Sequence, residues 1–175
     1  GNFRIAQADA LISTGFRLEQ LPDAASWLST GVSLINEAVS RQLLPDGAHV
    51  ERTPGYHGWM TSVFHRHWRL SRAHPELGLR IGTDQVAGMY DYYLASMRPN
   101  GSLSWIHDNH VLPPNREAPV RQLRQAFRAE AGLDDSLPPA SAFFPDAGQA
   151  LLRTNWNDDA DFVTFDASLW GGAHT

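Results

Sequence analysis

Leu44-Pro45-Asp46-Gly47-Ala48-His49-Val50-Glu51-Arg52-Thr53-Pro54-Gly55-Tyr56-His57 is the stretch on which the architecture of this chain turns. Pro-Asp-Gly closes one apolar periodic segment in a turn, and a second turn, Thr-Pro-Gly, opens the next. Between them lies a short polar segment. The Tyr56-His57 pair then falls on the first turn of the following helix. Two groups able to move protons thus stand at a helix entrance beside a loop, within reach of a substrate.

Outward from this point, the first two thirds of the chain read as helices. Upstream, Ile5, Ala8, Leu11, Ile12 and Phe16 recur at helical spacing between Phe3 and Leu18, with Gly15 as an interruption. Leu21-Pro22-Asp23 is a turn with Asp23 as N-cap. A second helix spans about Ala24 to Leu44, with Trp27, Leu28, Leu34, Ile35, Ala38, Val39 and Leu43 on one side. Downstream, a helix from Pro54 or Gly55 to His74 carries the stripe Tyr56, Trp59, Met60, Val63, Phe64, His67 and Trp68, until Pro75 and Gly78 break it. The next runs from a Thr83 cap to Arg98, with Val86, Met89, Tyr90, Tyr93, Leu94 and Met97 inward. After the loop Ser104-Trp105-Ile106-His107-Asp108-Asn109-His110, a shorter helix from Ala118 to Ala131 presents Val120, Leu123 and Phe127. Past Leu137-Pro138-Pro139 the period drops towards two. Phe143-Phe144, Ala150 to Arg153 and Phe162 to Phe165 read as antiparallel strands. There is no short-period repeat. Helices followed by strands predict a helical layer, residues 1–136, joined to the start of a β domain, residues 137–175.

Composition narrows the function. With 175 residues, 42% hydrophobic, the chain has the length for one domain or parts of two, and for a packed core. A formal net charge of -5 argues against sequence-independent nucleic-acid binding, yet a local cluster of Arg and His can still receive an anion. Without cysteine there are no disulfides or thiolate metal sites. No apolar stretch approaches the roughly 18 residues of a membrane span, so no membrane insertion is expected. Both ends read as cuts through a larger protein, whose remainder is then a partner of this chain.

Tyrosine, with an ordinary pKa near ~10, moves protons at neutral pH only where cations favour its phenolate. Arg52 and His57 are placed to supply them, and Glu51 lies nearby. His67 reads as a core histidine, and His65, Arg66 and Arg69 as a solvated face. His65 and His67 point apart on one helix, so no metal site is expected. Trp105 and His107 sit on a loop, where exposed aromatic and charged groups meet ligands about as often as they do not. Asp166 reads as a turn-capping carboxylate. Asn2 and His174 carry no signal by themselves.

In order along the chain, three motifs resemble the heparinase II/III-like polysaccharide lyases: Asn2-Phe3-Arg4; Leu43 to His57; and Phe144-Pro145-Asp146-Ala147-Gly148 with Arg153-Thr154-Asn155-Trp156 and Phe165-Asp166 through His174. The resemblance implies a mainly α fold with a small β part: incomplete (α/α) toroid hairpins followed by the first strands of an antiparallel β-sandwich. It implies an acidic polysaccharide in the cleft between them, cleaved by β-elimination at a uronate of heparan sulfate, alginate or bacterial exopolysaccharide type. It assigns Asn2 to the uronate carboxylate, Tyr56 to proton transfer at C5 and the leaving oxygen, and His174 to partner base or carboxylate neutraliser. Glu51, Arg52, His57, Trp105 and His107 are the substrate-binding candidates. A zinc site is implied for the parent β domain, incomplete in this chain, and no other cofactor. The parent is expected to be bacterial, periplasmic or secreted, and the fragment inactive by itself. The alternative is a non-catalytic carbohydrate-binding or scaffold module of the same fold, with Trp59, Trp105 and His107 as sugar contacts. An excised helical domain whose biochemistry needs the missing remainder is compatible with both.

Overall fold

The structure is a computed structural model, and it describes residues 1–107, 109 and 117–168. Five helices, α1 (Asn2–Arg17), α2 (Ala24–Gln42), α3 (Pro54–Ala73), α4 (Thr83–Ala95) and α5 (Glu117–Ala131), precede three strands, β1 (Ala142–Phe144), β2 (Gln149–Arg153) and β3 (Phe162–Asp166). The strands form an antiparallel sheet in the order β1-β2-β3, with Phe143 opposite Ala150 and Ala150 opposite Phe165.

One core unites the helices. Ile5, Ile12, Ile35, Met60, Phe64, Trp68, Met89 and Phe127 are each no more than 2% exposed. Each large side chain withdrawn from water in this way contributes roughly 1.5–3 kcal/mol. A second cluster, Ala48, Tyr92, Ala95, Ile106, Phe144, Ala147 and Leu151, joins the sheet to the helical layer. The opposite sheet face, with Phe143, Val163 and Phe165, stays exposed.

Several inward faces differ from those read off apolar spacing. On α3, Tyr56 is only partly buried and Trp59 is 42% exposed, whereas His57, Thr61, His65 and His67 are buried. Each of these polar side chains finds at least one partner at close range. Thr61 Oγ1 donates to His57 O at 2.8 Å, His67 Nδ1 lies 2.8 Å from Val63 O, and His65 Nδ1 lies 2.8 Å from the Tyr90 hydroxyl. A wider wall than the aliphatic stripe can therefore be buried. The expected solvated position of His65 is thus corrected. On α4 Tyr90 is buried as read, but the second buried tyrosine is Tyr92 rather than Tyr93, its hydroxyl reaching Gln149 Oε1 at 2.7 Å. On α5, Leu123 is 48% exposed and Arg124 takes the inward place, its Nε donating to Asp91 at 2.6 Å and its guanidinium to Ser136 O at 3.0 Å. The cap of α4 is Gly82 rather than Thr83, with Gln85 Oε1 accepting the Gly82 N–H at 2.8 Å. Thr83 Oγ1 instead accepts from Trp68 Nε1.

The turns after α2 and α4 repeat each other bond for bond. Leu44 N–H donates to Ala48 O and Arg98 N–H to Ser102 O. Gly47 N–H donates to Leu44 O and Gly101 N–H to Arg98 O. Val50 N–H donates to Gln42 O and Ser104 N–H to Ser96 O. In each, the third turn residue accepts from the backbone two residues on: Asp46 Oδ1 from Ala48 N and Asn100 Oδ1 from Ser102 N. Leu43 bridges His49, and Met97 bridges Leu103. Pro-Asp-Gly and Pro-Asn-Gly thus build one structural unit twice. Gly47 has φ +90°, and a Cβ on it would fall 2.4 Å from the Gly88 backbone on α4. Gly47→Ala is expected to destabilise the fold by about 3 kcal/mol or more, combining left-handed strain with a backbone clash. Denaturant unfolding of the variant against the wild type measures this.

Candidate functional site

Backbone strain falls on two of the candidate residues. Among the described residues only Arg52 (φ 53°) and His107 (φ 55°) are non-glycines with positive φ, and each follows one of the repeated turns. Such conformations persist only where the surroundings over-determine them. The Arg52 carbonyl accepts from the Tyr92 hydroxyl and from Gln149 Nε2, each at 3.4 Å. His107 Nε2 lies 3.0 Å from Asp166 Oδ2 and 3.3 Å from Ser168 Oγ. Both loops are therefore tied to the sheet. Asp46 adds a third tie, with Oδ2 accepting from Ala147 N at 2.8 Å. Asp166 also caps its own turn, as its sequence position suggested, accepting from Ser168 N at 2.8 Å.

Between these ties, residues distant in sequence meet. Glu51, 3% exposed, receives Asn2 with both oxygens: Oε1 accepts the Asn2 backbone N–H at 3.2 Å and Oε2 the Asn2 side-chain Nδ2 at 3.1 Å. A carboxylate accepts only, so Asn2 must turn its NH2 towards Glu51. Its Oδ1 faces away, buried and without a hydrogen-bond partner among the described residues. Tyr56 stands on the first turn of α3, partly exposed rather than sealed in the core.

Two histidines underpin this loop. His57 is fully buried; its Nε2 lies 2.8 Å from Met89 O, and its Nδ1 accepts the His49 N–H at 3.2 Å. His49 is equally buried. Its Nδ1 accepts the Glu51 N–H at 3.4 Å, and its Nε2 lies 3.2 Å from Gln42 Oε1. Each ring thus carries its proton on Nε2 and uses Nδ1 as acceptor, which requires neutral imidazoles. Burial pushes His57 down to about 4, against a weaker opposing pull from its Met89 hydrogen bond. Burial first, then the charge of His57 and of the N-terminus, takes His49 down to about 3. Two expectations are corrected here. His57 offers no cation to favour a Tyr56 phenolate, and with both ring nitrogens engaged it has no polar atom left for a sugar. It holds up the loop instead.

The other candidates are placed more simply. Arg52 is partly buried and follows Glu51. Trp105 is 70% exposed on the second loop, and His107 holds that loop to β3. His174, and the loop members Asp108 and His110, lie outside the described residues. Among those described, no group of three or more His, Asp or Glu is arranged to hold a metal ion, and no helix is long and apolar enough to cross a membrane. Nothing in the spacing of residues marked His49, whose ring is held by one backbone N–H and the Gln42 side chain.

Residues 1–131 match the family model described as Heparinase II/III N-terminus. The chain belongs to the heparinase II/III family. A heparin-sulfate lyase of Bacteroides thetaiotaomicron is 31% identical over 84 residues, covering 48% of this chain and 12% of that protein. A heparin-sulfate lyase of Pedobacter heparinus is 22% identical over 186 residues, covering 99% of this chain and 28% of that protein. The chain therefore spans well under a third of the length of either curated relative. Among solved structures, a heparinase III superposes with a TM-score of 0.78 at 19% identity over 96% of this chain and 29% of its own. The heparan sulfate lyase HepC of Pedobacter heparinus gives 0.69 at 20% identity, over 96% and 28%. At such identities the likeness establishes the fold, that of incomplete (α/α) toroid hairpins leading into the first strands of an antiparallel β-sandwich.

Proposed function

We propose that this heparinase II/III family chain forms the helical wall of a polysaccharide lyase site, acting on a 4-linked uronate polymer of the heparan sulfate class. The observation that carries this is the meeting of Asn2 with Glu51, five residues before Tyr56. It ties the first turn of α1 to the loop that leads into α3. The names of the relatives support the substrate class.

Elimination sets three tasks. The uronate carboxylate must lose its charge, because an anion beside C5 resists removal of the C5 proton. The resemblance assigns this to Asn2, which is 1% exposed here; what its amide has to offer is its second N–H, the first being engaged by Glu51. The positive end of the α1 dipole acts in the same direction. A base then takes the C5 proton, the C5 electrons form the C4–C5 double bond, and the C4–O4 bond breaks with its electrons on oxygen. O4 gains a proton to leave as a hydroxyl. Tyr56 is the group assigned to proton transfer at C5 and O4, and His174 to partner base or neutraliser. Trp105 and Arg52 offer a stacking surface and a cation along the chain of sugars.

The test uses the complete protein, incubated with heparan sulfate, alginate and a neutral polysaccharide, and follows the ultraviolet absorbance of the conjugated double bond. Absorbance rising with heparan sulfate supports the proposal. Oligosaccharide binding without new absorbance from any polymer would replace it with a carbohydrate-binding module.

A further inference from the structure

The two helices that carry Asn2 and Tyr56 both begin without a side-chain cap of their own. Gly1 precedes α1 and Thr53 precedes α3, and neither makes a capping bond. The Thr53 hydroxyl is directed elsewhere, donating to Glu51 O at 3.0 Å. Uncapped first-turn N–H groups need partners from outside the helix.

Both helices receive one from another segment. At α1 it is Glu51, which takes the Asn2 backbone N–H and the Asn2 amide together. At α3 it is Asn109, whose Oδ1 accepts the Gly55 N–H at 3.0 Å while its Nδ2 donates to Ser104 O at 2.7 Å. A backbone donor on one side and a backbone acceptor on the other fix the Asn109 amide without ambiguity. The approach is close enough that a Cβ on Gly55 would fall 2.6 Å from Asn109 Oδ1. Glu51, four residues after the Pro-Asp-Gly turn that ends α2, caps α1, and Asn109, eight residues after the Pro-Asn-Gly turn that ends α4, caps α3. Each cap thus comes from the loop beyond the next long helix, and the fastened residue lies at or beside a group assigned to the reaction.

We propose that Glu51 and Asn109 are positioning residues: each caps a helix from outside it and thereby sets the Asn2 amide and the Tyr56 ring for proton transfer. The inference rests on the lyase reading above. It departs from the sequence-based expectation that Glu51 binds substrate. A buried carboxylate whose two oxygens already hold Asn2 has little left for a sugar, and its charge would repel a uronate. As a cap it has a definite job. With its NH2 held by Glu51, Asn2 cannot flip, and its second N–H keeps one direction. The unpartnered Asn2 Oδ1 is the other side of this arrangement, since the clamp turns it away from every donor described.

The variants separate positioning from binding. Glu51→Gln replaces one acceptor with an NH2, so the Asn2 amide must reverse to pair with it. Asn109→Leu removes the Gly55 cap and the bond to Ser104 O, and Asn109→Asp keeps an acceptor for Gly55 but sets a carboxylate oxygen against the Ser104 carbonyl. All are measured in the complete protein with heparan sulfate. Asn109→Leu and Glu51→Gln are expected to lower kcat by about 100-fold, the loss that misplacement by an ångström brings, with KM within about threefold of wild type. Asn109→Asp, which keeps the Gly55 acceptor but loses the bond to Ser104 O, should fall between Asn109→Leu and the wild type. Residue-resolved amide hydrogen exchange gives a readout independent of turnover: the Gly55 amide should exchange faster in Asn109→Leu than in Asn109→Asp. A raised KM with unchanged kcat would make these residues sugar contacts and overturn the proposal. So would equal Gly55 exchange in the two Asn109 variants. If the wild type forms no unsaturated product from any polymer, the lyase reading fails, and the exchange comparison still decides whether the caps exist.

Discussion

Tyr56→Phe is expected to reduce turnover of heparan sulfate by about 1,000-fold or more while leaving the fold intact. Loss of a general acid–base group accounts for 10²–10⁴ in rate, and here one hydroxyl is asked to serve both C5 and O4. The substitution deletes that hydroxyl alone. The ring itself is kept, and it is only partly buried at the start of α3. The prediction therefore separates chemistry from structure: thermal unfolding should move little, KM should stay near wild type, and kcat should collapse. Steady-state kinetics beside a melting curve measure all three. Wild-type turnover in Tyr56→Phe would remove the phenol from the mechanism.

The second large effect is a loss of stability in acid, centred on the His49–His57 pair. Both rings are held neutral in the folded protein, His57 at about 4 and His49 at about 3, against an ordinary 6.5. Above 6.5 neither the folded nor the unfolded state protonates them, and their hydrogen bonds contribute fully. As pH falls below 6.5 the unfolded state binds protons that the folded state refuses, so stability drops by about 1.4 kcal/mol per pH unit for each histidine. The loss continues until the folded values, near 4 and 3, are passed. Protonation would set an N–H on Nδ1 against the backbone N–H of His49 or Glu51. The Glu51 loop should therefore be the first part of the site to open in acid. Hydrogen exchange of the amides of residues 49–57, corrected for the intrinsic pH dependence, should show opening free energies falling between pH 6.5 and 4. His57→Leu should open the same segment by about 3 kcal/mol even at pH 7, because it strands the Met89 carbonyl and the His49 N–H in the core. Opening that is independent of pH would mean that these imidazoles are not buried neutral.

Much of the frame was legible in the sequence because it is written in local chemistry. Pro45-Asp46-Gly47 and Pro99-Asn100-Gly101 announce helix ends, and the structure builds a matched turn at each. Alternation in residues 149–153 and 162–166 marks β2 and β3 to within a residue or two. The errors share a cause. His57, His65, Tyr92 and Arg124 are polar or amphipathic, and apolar periodicity leaves them outside. Each is nevertheless buried, because a carbonyl, hydroxyl, amide or carboxylate waits for it. Partners on other elements leave no trace in local spacing. The candidate site was harder still. Asn2 became visible only through resemblance to a family, since an asparagine alone carries no pattern, whereas Tyr56 was marked by its place beside His57 at a helix entrance. Asn109 was invisible altogether, because nothing in a sequence tells which loop will reach which helix end.

The central claim is that Asn2 and Tyr56 belong to an elimination site, and the mass of the product tests it most directly. Heparan sulfate oligosaccharides of defined length, digested by the complete protein, are separated and weighed. Elimination predicts that the new non-reducing ends are lighter by one water than those from hydrolysis, and that they disappear in Tyr56→Phe. Fragments that have gained water at the cut, or unsaturated fragments that persist undiminished in Tyr56→Phe, would contradict the account.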